Sequence, residues 1–170
     1  MIKSNCYWIT GLSGSGKTTL ATTLSAHLRS MGRPTVLLDG DELRSIMAGK
    51  GYSREERLQI ALRYSSLCKL LVGQGIYVVI AVIGLFDEVH RWNRINITNY
   101  VEIYLDTPIS ELIRRDPKGI YAGAKSGSIR NVAGIDLKVD YPRSPHIHIK
   151  WSEEKDIDST SDELFKKLGL

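Results

Sequence analysis

A chain of 170 residues, 42% hydrophobic and 25% charged, carries enough apolar material for a packed core and too much for a disordered chain. Its formal charge of +4 suits a protein that handles anions, but no block of Lys and Arg and no interleaving of basic with aromatic residues marks a nucleic-acid surface. The longest apolar run, "IYVVIAVIG", is too short to span a bilayer, and the first residues lack the basic and apolar regions of a signal peptide; the expectation is a cytoplasmic protein with no membrane or nucleic-acid partner.

The run "CYWIT" reads as a buried strand that ends on a glycine-rich loop. After the loop, Leu20, Leu24 and Leu28 fall four apart, the stripe of a helix that Gly32 and Pro34 stop. "TVLLDG" reads as a second buried strand and "DELRSIM" as a short helix capped by Asp41. "SREERLQIALRYSSLCKLLVGQG" is a long amphipathic helix, with Ser53 and Glu56 at capping-box spacing and Gly73 and Gly75 at its end. "IYVVIAVIG" is a third buried strand, "FDEVHRWNRINI" a helix, "VEIYLD" a fourth strand and "SELIRRD" another helix. The Gly- and Lys-rich stretch 116–134 has weak periodicity and reads as a long connection of the kind that serves as a lid. "HIHIKW" is a last short strand, and "STSDELFKKLGL" a final helix whose apolar face docks on its own domain rather than on a membrane. Strands alternating with helices predict an α/β fold: a mainly parallel sheet covered on both faces, one domain over 1–170 with its lid at about 116–134.

Cys6 and Cys68 form no C-x-x-C pair and read as two small buried apolar side chains in a reducing compartment. His146 and His148 alternate on one strand face, but no further Cys/His pair has ligand spacing, so a two-histidine metal site is not expected. Trp8, Trp92 and Trp151 read as core or interface residues.

The string "GLSGSGKT" carries the chemistry. Gly11, four residues, Gly16, Lys17 and Thr18 match G-x-x-x-x-G-K-[ST] in full, after a strand and before a helix as the motif requires. The loop through Ser13, Gly14, Ser15 and Gly16 to Thr19 turns successive amides toward an anion, and the helix start adds its positive dipole end. Lys17 reaches the β and γ phosphates, and the Thr18 hydroxyl ligates Mg²⁺. ATP or GTP with magnesium follows. No strand ends in the D-x-x-G of a GTPase switch, and no N-K-x-D follows. Instead "LDGDELR" closes the second strand. Alternation places Asp39 and Asp41 on one side, facing the phosphates, where a carboxylate can hold magnesium's water shell or take a proton from an attacking hydroxyl.

Taken together, these strings resemble the adenylyl-sulfate (APS) kinase family. "GLSGSGKTT", "LDGDELR", "GYSREER", "YLDTP", "RDPKGIY" and "GID" occur in the family's order and roughly its spacing, from Tyr7 to about Pro145. The resemblance implies a three-layer P-loop kinase fold and transfer of the γ-phosphoryl group of ATP to the ribose 3′-hydroxyl of a 5′-substituted nucleotide. It implies Asp41 as base, with Lys17 and Asp39 beside it in the catalytic set. Magnesium would sit on Thr18 directly and on Asp39 partly through water. Arg115 would join the phosphate loop in binding ATP. Arg44 and Arg57 would hold the acceptor's phosphate or sulfate, Tyr52 would stack on its base, and Lys118 would reach over both ligands from the lid; Ile83 and Val132 complete the acceptor set. A homodimer is the assembly the resemblance points to.

The departures cluster around the acceptor. Ile60 stands for an asparagine that contacts it and Leu62 for an arginine; Gly84 removes a hydroxyl and Asp87 reverses a charge. Val132 stands for the phenylalanine that covers the acceptor's adenine, which would leave a one-sided stack on Tyr52 and weaken adenine recognition by about tenfold or more. With "FDEVHRWNR", this profile resembles the branch of the family that phosphorylates cytidine diphosphoramidate for capsule modification. APS, the acceptor of sulfate assimilation, is the alternative. A nucleotide-dependent switch is opposed by the missing GTPase strings, and a binding module without turnover by the presence of Lys17, Thr18, Asp39 and Asp41.

Overall fold

The computed structural model describes residues 5–47 and 51–170; residues 1–4, on which the reading of the first residues partly rests, lie outside it, as do 48–50. The elements in chain order are β1 Cys6–Thr10, α1 Lys17–Ser30, β2 Thr35–Asp39, α2 Gly40–Ile46, α3 Arg54–Gly73, β3 Tyr77–Val82, α4 Asp87–Asn96, β4 Tyr100–Asp106, α5 Ile109–Arg115, α6 Ile120–Ser126, β5 Ile147–Lys150 and α7 Ile157–Leu168. The strands form one parallel sheet in the order β2-β3-β1-β4-β5. Thr10, the last residue of β1, pairs with Val82 on one side and Tyr104 on the other. β1 therefore ends at the centre of the sheet's carboxyl edge, where connections diverge to left and right and parallel α/β sheets bind ligands.

Side chains of a strand alternate between faces, and each face has its own core. Cys6 and Trp8 point toward α3 and α4, packing with Tyr64, Cys68, Ile80 and Val89. Tyr7 and Ile9 point toward α1 and α7, packing with Leu20, Leu24, Leu28 and Leu164. A third cluster, including Leu12, Leu85, Leu112, Tyr121, Val132 and Leu137, covers the carboxyl edge and seats the lid. The final helix docks where its apolar face requires, with Phe165 stacked on His27 at 4.4 Å between ring centres. Cys6 and Cys68 are buried in one core cluster as free thiols. Among the described residues, no helix is long and apolar enough to cross a membrane.

Three expectations need correction. β2 is half-buried throughout rather than buried, because it stands at the edge of the sheet, paired with β3 on one side. The cap of α2 is Asp39, whose side chain accepts the N–H of Asp41; Asp41 already lies within the helix. The stretch 116–134 is not structureless, since it contains α6 between the left-handed residues Gly119 and Gly127. The long helix matches expectation, and both reciprocal bonds of the Ser53–Glu56 capping box are formed.

His146 and His148 are tied to structural partners. The backbone N–H of Glu102 donates to His146 Nδ1 at 2.9 Å, and His148 Nε2 lies 2.9 Å from Asp106. No group of three or more metal-ligating side chains occurs among the described residues. Glu102 is fully buried and pairs with Arg94 at 3.1 Å, while Arg94 also donates to the Ser144 carbonyl at 2.7 Å. One guanidinium thus joins α4, β4 and the approach to β5.

Candidate active site

β1 runs into the phosphate loop, and Gly16 closes that loop at φ 94°, a left-handed conformation that side-chain-bearing residues rarely adopt. The loop therefore ends directly on the amino terminus of α1, whose first amides have no intrahelical partner. Lys17 Nζ folds back over its own loop, donating to the Leu12 carbonyl at 2.6 Å. Burial pulls the Lys17 ammonium down to about 8; the charge of Lys118 adds to the effect, and Asp41 and Asp39 oppose it.

β2 ends on Asp39, whose two carboxylate oxygens do separate jobs. Oδ2 accepts the Thr18 hydroxyl at 2.7 Å, and Oδ1 accepts the Asp41 N–H at 2.9 Å. One side chain therefore pins the start of α1 to β2 and caps α2. Asp41 comes to the site by the first turn of α2 rather than by strand alternation, and its carboxylate pairs with the ammonium of Lys118 from the lid. Asp39, Asp41, Lys17, Thr18 and Lys118 line one cavity of about 360 Å³. Ser13, Gly14, Gly16 and Thr19 contribute to the same wall.

The opposite wall is a stripe along α3. Arg57, Ile60, Ala61 and Tyr64 recur at three- and four-residue steps and face the cavity together. Arg44 joins them from α2, and Ile83, Gly84 and Phe86 from the turn after β3. That turn is held by the Thr10 hydroxyl, which donates to the Ile83 carbonyl. Gly84 has φ 46°, and a Cβ there would stand 3.0 Å from the Trp8 ring, so the absence of a side chain at this point is set by the tryptophan behind it.

Tyr52 does not line the cavity. It is 51% exposed, and the guanidinium carbons of Arg44 and Arg57 lie 4.7 and 5.2 Å from its ring centre. Arg57 also donates to the carbonyls of Tyr52 at 3.0 Å and Asn131 at 2.9 Å, which ties α3 to the lid. Burial, then the charge of Arg44, pull the Arg57 guanidinium below its ordinary range.

The lid is built on two carboxylates. Asp116 accepts the N–H groups of Tyr121 at 3.1 Å and Ala122 at 2.8 Å, satisfying the open start of α6. Asp136 accepts those of Asn131 and Val132 at 2.8 and 2.5 Å. The Tyr121 hydroxyl donates to the Ser13 carbonyl at 2.8 Å, so the lid is bonded to the phosphate loop itself. Val132 is 4% exposed and packs into the cluster at the carboxyl edge; Ala133, one residue on, lines the cavity. The thin wall expected at Val132 is therefore not a wall of this cavity, because the short turn held by Asp136 directs Val132 inward.

Arg115 lies elsewhere. With Ser15, Thr19 and Trp151 it lines a second hollow of about 310 Å³ on the α1 side of the loop. Its Nε donates to Glu111 at 2.6 Å, and its guanidinium carbon lies 5.9 Å from the Trp151 ring centre. Trp151, read from sequence as core or interface, is half-buried at this hollow. Gly11 sits beneath the loop, where a Cβ would come within 2.7 Å of the Leu105 carbonyl. Sequence reading also passed over Tyr64, which helical spacing from Arg57 and Ile60 could have placed on the site face.

Comparison with known proteins agrees with this layout. The family model described as adenylylsulphate kinase matches residues 3–150. The cytidine diphosphoramidate kinase of Campylobacter jejuni subsp. jejuni serotype O:2 is 38% identical over 171 residues, which cover 99% of this chain and 100% of that one. The adenylyl-sulfate kinase of Pseudomonas aeruginosa is 42% identical over 154 residues, or 88% of this chain and 79% of that one. The structure of Mycobacterium tuberculosis APS kinase CysC in complex with AMPPNP and APS has a TM-score of 0.90 at 32% identity and covers the whole of both chains. With a phosphate loop in a parallel sheet and most of its length matched, the chain belongs to the adenylylsulphate kinase family and is a phosphotransferase.

Proposed function

We propose that the protein transfers the γ-phosphoryl group of ATP to the ribose 3′-hydroxyl of cytidine diphosphoramidate. One observation carries the chemistry: the Asp41 carboxylate shares a single cavity with Lys17 and Thr18, so a sugar alcohol held by Asp41 stands beside the place where the phosphate loop delivers a terminal phosphoryl group. Lys17 and the loop amides hold the triphosphate and balance the charge that spreads over the transferring group. Asp41 orients the ribose hydroxyl and takes its proton as the new P–O bond forms. The lid carrying Lys118 covers the cavity and excludes water, which limits loss of ATP to hydrolysis.

Thr18 Oγ1 and Asp39 Oδ2, 2.7 Å apart, form a pair of hard oxygen donors at the phosphate loop and fit magnesium, whose other positions would be taken by phosphate oxygens and water. Bound there, the ion would neutralise phosphate charge.

The choice of acceptor rests on the α3 side of the cavity. Ile60 and Ala61 present an apolar surface there, and Tyr64 and Phe86 are the aromatic side chains on the cavity, since Tyr52 and Val132 lie off it. The full-length match to the Campylobacter jejuni enzyme points the same way. APS remains the second reading, favoured by the higher identity to the Pseudomonas aeruginosa enzyme over a shorter span.

The test is direct. The protein is incubated with ATP and magnesium and, in separate reactions, with cytidine diphosphoramidate, APS and plain nucleotides, and new phosphate esters are located by phosphorus NMR. A 3′-phosphate appearing fastest on cytidine diphosphoramidate is the expected result. A faster reaction with APS moves the assignment to the second reading, and ADP release with no phosphorylated acceptor overturns the kinase proposal.

A further inference from the structure

Tyr64 raises a question that the roles assigned so far do not answer. It is 5% exposed, it lines the main cavity, and its hydroxyl is buried without a hydrogen-bond partner. Buried phenols ordinarily have a partner, because the group loses its water on folding and needs a replacement. Burial pushes the Tyr64 phenol above its ordinary range, so the group keeps its proton and can donate. Its electrostatic neighbours are Arg44 and Asp41, both on the same cavity.

Tyr64 stands seven residues after Arg57 on α3, two turns along one face. Helical side chains lean toward the amino terminus, so a phenol at this position reaches back toward Ile60 and Arg57. Arg44 and Arg57 are the guanidinium groups of the acceptor wall, and the anionic 5′ end of an acceptor nucleotide belongs beside them by charge. Arginine only donates. A hydroxyl both donates and accepts, which suits a 5′ group that carries an amine as well as oxyanions.

We propose that Tyr64 is a specificity-determining residue whose unpaired hydroxyl hydrogen-bonds the terminal group at the 5′ end of the acceptor nucleotide. The inference rests on the kinase reading above and extends it to a position that the acceptor set did not include. The hydroxyl is covered in the structure, so the contact forms by a side-chain shift at the wall as the acceptor enters. A phosphoramidate amine donates a hydrogen bond to the phenolic oxygen while the phenol O–H donates one to a neighbouring P–O oxygen, and no bond to phosphorus is made or broken there.

The experiment compares Tyr64→Phe with the parent protein on two acceptor pairs, each differing at the 5′ end: cytidine diphosphoramidate against CMP, and APS against AMP. Steady-state kinetics and calorimetric titration are run on all four. The loss of the hydroxyl is expected to lower kcat/KM and affinity for the pair member with the full 5′ group by about tenfold, the scale of a hydrogen bond to a charged group. CMP, AMP and ATP are expected to bind the variant as they bind the parent. An equal effect on both members of a pair, or none on either, overturns the inference while leaving the kinase reading in place. A parent protein that neither binds nor phosphorylates any of the four overturns both. A variant that unfolds is identified by loss of ATP binding, and Tyr64→Met then supplies the same comparison.

Discussion

Asp39 shows how much a single carboxylate can organise. Its two oxygens hold the Thr18 hydroxyl and cap α2, which fixes where Asp41 projects. Asp41→Asn keeps that geometry and removes the carboxylate proposed as proton acceptor. Its kcat is expected to fall by about a hundredfold or more, the range of a general base, while the calorimetric Kd for ATP stays unchanged. Lys17 gives a pH signature. Its ammonium, held at about 8, is charged below that value and lost as pH rises through it. The kcat/KM for ATP, which reports the free enzyme, is expected to decline above about pH 8; the decline in kcat should lie further alkaline, because bound phosphates favour the charged lysine. A kcat/KM that stays flat well above pH 8 would show that the lysine's charge does not govern ATP capture. The placement of Ser13, Gly14, Gly16, Lys17, Thr18 and Thr19 on one cavity was legible in sequence because their motif is contiguous and names its own strand and helix. Tyr64 was passed over although its helix phase with Arg57 and Ile60 carries it to the cavity, and Trp151 was not legible because it reaches its hollow through the approach of distant chain segments.

At the scale of elements, legibility followed local signals. α3 was readable from its ends because Ser53 and Glu56 satisfy each other's open backbone groups within one turn. Ser53→Ala is expected to cost about 1 kcal/mol in urea unfolding and to lower activity little, since the cap precedes the first cavity residue of α3. α6 was not readable. Its seven residues include Gly123, its N-cap Gly119 has no side chain, and its first amides are instead taken by Asp116, four residues before the helix begins, a spacing outside the usual capping patterns. Asp116→Ala is expected to raise KM for the acceptor and to increase protease cleavage within 116–134, because two amides at the start of α6 lose their acceptor. Unchanged cleavage would mean that the Tyr121 bond to the phosphate loop suffices to hold the segment. α2 was misassigned by two residues for a related reason: "DGD" offers two capping acids, and the sheet's end decides between them.

Across the whole molecule, the sheet order was beyond the reach of periodicity, which shows that strands exist but not which strands adjoin. The pair of exposed Arg94 with buried Glu102 helps hold the far edge by linking α4, β4 and the approach to β5. Arg94→Met would leave the buried Glu102 charge with the Tyr100 hydroxyl still donating to it and is expected to destabilise the fold by about 1–3 kcal/mol; adding Glu102→Gln should restore part of the loss in thermal melts. If the double variant is no more stable than the single, the pair is not what joins these parts. The contact between Lys118 and Asp41 has a consequence of another kind. It joins 116–134 to α2 at the cavity both residues line, so under the proposed function an acceptor held by Asp41 would have to unfasten it. An exposed ion pair of this sort is worth no more than about 1 kcal/mol, too little to bar entry. On the proposed mechanism it is a latch rather than a lock, one that a sugar alcohol would undo by taking the place of the ammonium beside the carboxylate.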